Sequence, residues 1–250
     1  MVTGTRRIYP KPPIIEAAIE FKLVAQLPKD ALVEALSVPL ASQFGGTPQV
    51  KELLEFSATI SPEGQGTSTR RLPHVTFLRS EDNRRQLGLA NGVLSSHVLA
   101  PYPGWENFIE QTRDAVAALP ADVKEAGATS ISVRYIDRIV MPTAEEVLGE
   151  YITVLPPRPE SMPELLSGYH VATTAVDKQN GTLAQLIVAL APPEADHRQV
   201  VIYDLLLQRS GTPLCKLVGD EWAAILEELH QRQREIFEQS ITDRARELFQ

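Results

Sequence analysis

The sequence predicts an α+β protein: pseudo-duplicated strand-helix-three-strand-helix units, with antiparallel sheets and helices packed on one face. Three observations carry that expectation. Runs of period-two hydrophobicity alternate with helical stripes in the same order in both halves of the chain. The two tryptophans, Trp105 and Trp222, each open the closing amphipathic segment of their half. Asn180-Gly181, between two β-like runs, is the strongest kind of short-range hairpin signal. The halves divide as residues 1–120 and 121–250, expected to merge into one structural unit.

In the first half, "PPIIEAAIEFKLVA" alternates as a strand should. Ile15, Ala17, Ile19, Phe21 and Leu23 fall on one face and Glu16, Ala18, Glu20 and Lys22 on the other. "PKDALVEALSVPLASQF" predicts a helix that ends near Pro39, because proline lacks the amide proton and clashes with the preceding turn. Three strand candidates follow, "VKELLEFSATI", "LPHVTFLRS" and "RQLGLANGVLSSHVL". "SEDNR" supplies turn chemistry between the second and third, and "SPEGQGTSTRR" (residues 61–71) reads as a loop. A helix with Trp105, Phe108, Ile109, Val116 and Leu119 in one stripe closes the half at Pro120.

The second half begins with "TSISVRYIDRIVMP" as a strand, then "AEEVLGEYI" as a weak helix. A proline-rich connector leads to a short helical turn at "ELLSG". The Asn180-Gly181 hairpin and the strand "QVVIYDLLLQRSG" come next. The closing helix, "GDEWAAILEELHQRQREIF", is expected to be capped by Asp220 and to bury Trp222, Ile225, Leu226, Leu229, Ile236 and Phe237.

Composition narrows the function classes. At 250 residues with 43% hydrophobic and 22% charged residues, the chain belongs with ordinary globular proteins and can bury a large core. A net charge of −8 disfavours nucleic acid and anionic membranes as partners. No apolar run approaches the roughly 20 residues of a spanning helix, and prolines and glutamates interrupt the N-terminal region, so neither membrane anchor nor signal peptide is expected. Cys215 is the sole cysteine, which suits a reducing compartment; a cytoplasmic protein follows. A protein partner is expected, and homo-oligomerisation is left open.

The stretch "SVRYIDRI" places charge inside an apolar strand. Val133, Tyr135, Asp137 and Ile139 share one face; Arg134, Ile136, Arg138 and Val140 share the other. Laying one half on the other sets Glu20 against Asp137. These charges read first as a paired network fixing the register of the halves, with a cation or hydrogen-bond donor expected beside Asp137. The second reading makes Glu20, Arg134, Asp137 and Arg138 a ligand-binding groove between the halves. Arg70, Arg71, Arg79, Arg84 and Arg85 form a weaker anion-binding candidate along a hairpin, against a solvated edge strand as the simpler account. Ile241, Ala245, Leu248 and Phe249 have no counterpart in the first half; they are a candidate for docking a partner, or for covering the chain's own N-terminal strand. The five histidines lack metal-ligand spacing, G-x-S-x-G is absent, and Cys215 reads as a packing residue. No catalytic residue, metal or cofactor is indicated.

"PPIIEAAIEF", "VRYIDRIVMP" and "LHQRQREIFEQSITDRARELF" together resemble an uncharacterised, sporadically distributed bacterial family of similar length. In that family a Pro-Pro-Ile-x-Glu-Ala segment, an Arg-Tyr-Ile-Asn/Asp-Arg-Ile strand and a His-containing terminal helix recur in this order. The resemblance implies a bacterial, cytosolic accessory protein of the kind carried by mobile defence or toxin–antitoxin loci, and it assigns no catalytic residue. The functional expectation is a non-catalytic intracellular interaction or sensing module. The alternative is a small-molecule or nucleotide-binding protein, enzymes included, using the groove between the halves.

Overall fold

The computed structural model describes residues 7–51, 54–61, 64–71, 75–143, 145–155, 159, 161–163, 165–166, 168–192 and 198–250. Along the chain run β1 (Ile14–Leu23), α1 (Lys29–Ser37), β2 (Gln49–Lys51), β3 (Leu54–Ser61), β4 (Gly64–Arg71), β5 (Val75–Arg79), β6 (Arg85–Ala90), β7 (Val93–Leu99), α2 (Trp105–Ala117) and α3 (Ala121–Ala126). There follow β8 (Ala128–Val140), a 3-10 turn (Leu148–Glu150), β9 (His170–Val176), β10 (Leu183–Ala191), β11 (Val200–Cys215), α4 (Glu221–Ser240) and α5 (Asp243–Glu247). Nine strands form one antiparallel sheet in the order β2-β5-β6-β7-β1-β8-β11-β10-β9, while β3 and β4 make a separate two-stranded ribbon. The mixed α and β content and the antiparallel pairing agree with the sequence.

The halves do not face each other across a groove. They join edge to edge through β1 and β8, with Ala18 opposite Arg134 and Glu20 opposite Ser132. Side-by-side pairing satisfies the backbone donors and acceptors of both strands, which two separate sheets would leave as open edges. Alternation then aligns across the join. Ala17, Ile19, Phe21 and Leu23 of β1 are buried, as are Ile131, Val133, Tyr135 and Ile139 of β8 and Val201, Tyr203, Leu205 and Leu207 of β11. The same apolar cluster takes in Leu32 and Leu36 of α1, Phe108 and Val116 of α2, and Trp222, Leu226 and Leu229 of α4.

The tryptophans tie the halves together crosswise. Trp222, which leads the closing helix of the second half, meets Phe21 of β1 edge-on at 5.7 Å. Trp105 stacks on His230 of α4 at 4.0 Å and donates its indole N–H to Glu227 at 2.7 Å. Asp220 occupies the position before α4 but makes no side-chain cap. Its carboxylate instead accepts from Arg113 of α2 at 2.9 Å, a tertiary pair displacing the local one.

Other departures have local causes. The run 85–99 folds as two strands because Asn91-Gly92 turns it, with Gly92 at φ 64°. Residues 64–71, read as loop, pair with β3, since Thr67, Ser68 and Thr69 tolerate an extended backbone. "AEEVLGEYI" yields only the 3-10 turn, and no helix forms among the described residues of "ELLSG". The α3 turn was not foreseen. It ends at Gly127, whose φ of 84° and closeness to the Cys215 carbonyl leave no room for a side chain. The closing helix α4 stops at Ser240; Ile241 is extended and bridges to Ile152, before Thr242 caps α5 through the Ala245 N–H.

Candidate functional site

The prolines near the N-terminus cannot donate to a ladder, so residues 7–13 run as a strap beside the sheet. It is held by Arg138 N–H to Pro13 O at 2.9 Å, Lys11 N–H to Phe249 O at 3.0 Å, and the edge-on packing of Tyr9 and Phe249 at 5.3 Å. Between this strap, the start of α2 and the face of α4 lies a cavity of about 360 Å³. Tyr135 and Asp137 of β8 line it, with Tyr102, Trp105, His230 and Phe237; Arg7, Glu106, Arg234 and Glu238 add charge.

Inside it a hydrogen-bonded chain runs from the Tyr102 hydroxyl to the Tyr135 hydroxyl at 3.2 Å and on to His230 Nδ1 at 3.0 Å. Stacking beneath Trp105 fixes the imidazole plane. Burial raises both tyrosines above their usual range, so they are phenols and hydrogen-bond donors at any physiological pH. Asp137 is 2% exposed, and its Oδ2 has no hydrogen-bond partner among the described residues. Burial first, and then the charge of Asp204, push its carboxyl up to about 8. The acid is therefore mostly protonated at neutral pH.

From the strand alone a cation or hydrogen-bond donor is expected beside Asp137; among the described residues none reaches its Oδ2. The pleat of β8 is the reason. Arg134 and Arg138 project from the opposite side, and Arg134 grips Asp204 of β11 through Nε at 2.8 Å and Nη2 at 2.5 Å. Glu20 and Arg134 border a smaller pocket of about 130 Å³ with Glu16, Ser95 and His97. There His97 bridges Glu16 at 3.0 Å and Ser95 at 2.9 Å. Arg138 is half-buried, away from that pocket. The four groove candidates thus divide between two faces, with Asp137 alone at the larger cavity.

The Arg134–Asp204 fork is a strut across the second half. A double-mutant cycle with Arg134→Ala and Asp204→Ala should give a coupling of about 1 kcal/mol by chemical denaturation, because Arg134 is 45% exposed and solvent screens the pair. Additive losses would remove the strut.

Of the basic set, Arg79 donates to Gln49 at 3.2 Å, and Arg84 and Arg85 are exposed beside the β5–β6 turn. Asp82 sits among them, its carboxyl held below the usual range by the Ser80 hydroxyl and the Arg84 N–H. Arg70 and Arg71 belong to β4, opposite Glu55 and Leu54; their side chains lie outside the described residues, as do His74 and His197. Ile241, Ala245 and Phe249 are buried in their own chain's core and Leu248 packs against it, so this set presents no open apolar face. Burial, then Glu221, raise the Cys215 thiol to about 11, leaving it unreactive. Among the described residues no cluster of His, Cys, Asp and Glu could hold a metal, and no helix is long and apolar enough to cross a membrane.

Sequence reasoning missed Tyr102, Tyr135, Trp105 and His230 as a site. The signal was His230 and Gln233, polar residues set within the buried stripe of α4 between Leu229 and Phe237. No protein-family model matches the chain, and comparison with curated proteins finds no match.

Proposed function

We propose that this chain is a small-molecule-binding protein that holds or senses its ligand in the cavity between the strap, α2 and α4. The observation that carries the reading is Asp137, a buried acid that lines an aromatic cavity and whose Oδ2 has no hydrogen-bond partner among the described residues. Such a group is costly to bury, and uncompensated polar atoms of this kind concentrate at functional sites. The rival reading, a module that docks a protein through its terminal segment, loses support because that segment fills its own core. A binding role fits better than catalysis: the phenols are held protonated and Cys215 is unreactive.

The duplication belongs to the same reading. Strands β7, β6 and β5 flank β1 as β11, β10 and β9 flank β8, and each half closes with a tryptophan-led helix. On this view the cavity arises where the two closing helices of a repeated unit meet, and its ligand would couple them.

Trp105 lines the cavity and reports on it. In a Trp222→Phe variant, Trp105 is the single indole, and a library of small polar aromatic fragments should contain members that change its emission saturably, at one per chain. A library that leaves the emission untouched up to its solubility limit removes the reading.

A further inference from the structure

We infer that the cavity's ligand is an organic ammonium ion, a primary amine on an apolar body, seated with its nitrogen at Asp137. The inference rests on the small-molecule reading above and narrows it to one chemical class. It starts from charge balance. The cavity is lined by two arginines and three carboxyl groups, and most of these are already engaged. Arg234 donates to the Arg7 carbonyl at 3.2 Å, and Arg7 lies 3.8 Å from Asp243. Glu238 accepts from Tyr9 at 2.7 Å and from Arg246 at 3.0 Å. Glu106 has a partner as well. Among the described charged groups that line the cavity, what remains unmet is Asp137, whose Oδ2 has no hydrogen-bond partner.

The walls favour a cation over an anion. Tyr102, Tyr135 and Phe237 present aromatic rings to the same space, and ring faces attract ammonium groups most strongly where water is excluded. An anionic ligand would meet both those rings and a carboxyl. The cavity's volume of about 360 Å³ sits at the small end of ligand pockets, ~300–1,000 Å³, which suits a single-ring amine.

Binding exchanges one proton. The empty site holds Asp137 as the neutral acid; an arriving ammonium ion pairs with the carboxylate, and the carboxyl proton leaves to the buffer. The groups near this exchange are Tyr203 from β11, Tyr135 from β8, and Tyr102 and Glu106 from the α2 side, with the charge of Asp204 acting from the opposite face of the sheet. From α4 come His230, Arg234 and Glu238, and from the strap Arg7 and Tyr9.

The test is isothermal titration of the full chain at pH 7 with phenethylamine, 2-phenylethanol and 3-phenylpropionate, in phosphate and in Tris, whose ionisation enthalpies differ. The amine should bind tightest and release close to one proton per chain. Asp137→Asn should weaken the amine by roughly tenfold or more and abolish proton release, and should weaken the alcohol far less than the amine. Tighter binding of the alcohol or the acid, or amine binding that Asp137→Asn leaves unchanged, overturns the ammonium inference and spares the cavity. If none of the three binds, both fall.

Discussion

Replacing Asp137 with asparagine should flatten the pH dependence of folding stability and leave the protein more stable than the wild type at alkaline pH. In the folded chain the carboxyl titrates at about 8, against 3.8 for an unburied group, so between those values the folded state binds the extra proton. Stability from this group is complete below the unfolded value and is lost as the pH rises through the folded one. The shift spans about four pH units at ~1.4 kcal/mol each, so the loss from pH 4 to pH 9 is on the order of 5 kcal/mol. Asparagine is neutral throughout and nearly the same shape, and cannot lose a proton. Guanidinium denaturation at pH 5, 7 and 9 should show the wild type falling steeply relative to the variant. Asp204→Asn should move the wild-type transition to lower pH by a smaller amount, since its charge is the second cause of the shift. Parallel curves for wild type and Asp137→Asn would mean that the carboxyl is paired or hydrated, and the argument for the cavity would lose its central residue.

That expectation reverses the one drawn from the strand alone, and the reversal shows where sequence reading stops. Alternation in "IEAAIEFKL" and "ISVRYIDRI" located β1 and β8 and sorted their faces correctly, because a period of two is local information. Asn180-Gly181 marked the β9–β10 hairpin for the same reason, and Asn91-Gly92 carried an equal signal within a run read as one strand. The pairing of β1 with β8 joins residues more than a hundred positions apart, and nothing in either strand names its neighbour. The partner of Arg134 was out of reach for that reason: Asp204 sits two residues away in the ladder sense and seventy in the chain. Asp137 was recognisable as a buried acid. That it lacked a partner was not, because absence of a contact is a property of the whole packing. Trp105 reads as a helix-stripe residue and His230 as one of five histidines without metal-ligand spacing, and only the crossing of α2 with α4 brings them face to face.

Removal of residues 241–250 should abolish cooperative folding. The segment looked suited to a partner because it follows the long closing helix and repeats an apolar spacing found nowhere in the first half. Its side chains are spent on the chain itself: Ile241 and Phe249 are 2% and 3% exposed, and Ala245 is fully buried. Phe249 packs against Tyr9 of the strap and lies 6.3 Å from Phe237 of α4, while its carbonyl accepts from Lys11. Ile241 bridges Ile152, and Arg246 fastens Glu238, which in turn holds Tyr9. Truncating a buried phenylalanine to alanine costs about 3–5 kcal/mol, and the isoleucine adds roughly 2–5 more. Against a total stability of about 5–15 kcal/mol, loss of the whole segment consumes most of what keeps the chain folded. The truncated protein should be insoluble or melt without a sharp transition in calorimetry. Phe249→Ala, which keeps the backbone bond to Lys11, should remain folded with its stability lowered by about 3–4 kcal/mol. It should also bind cavity probes more weakly, because the strap that closes the cavity then rests on a void. Leu248→Ala, at a half-buried position, should cost about 1 kcal/mol and leave binding alone. A truncated chain that melted at the wild-type temperature would place the segment outside the core, and the docking role would again be the better account of it.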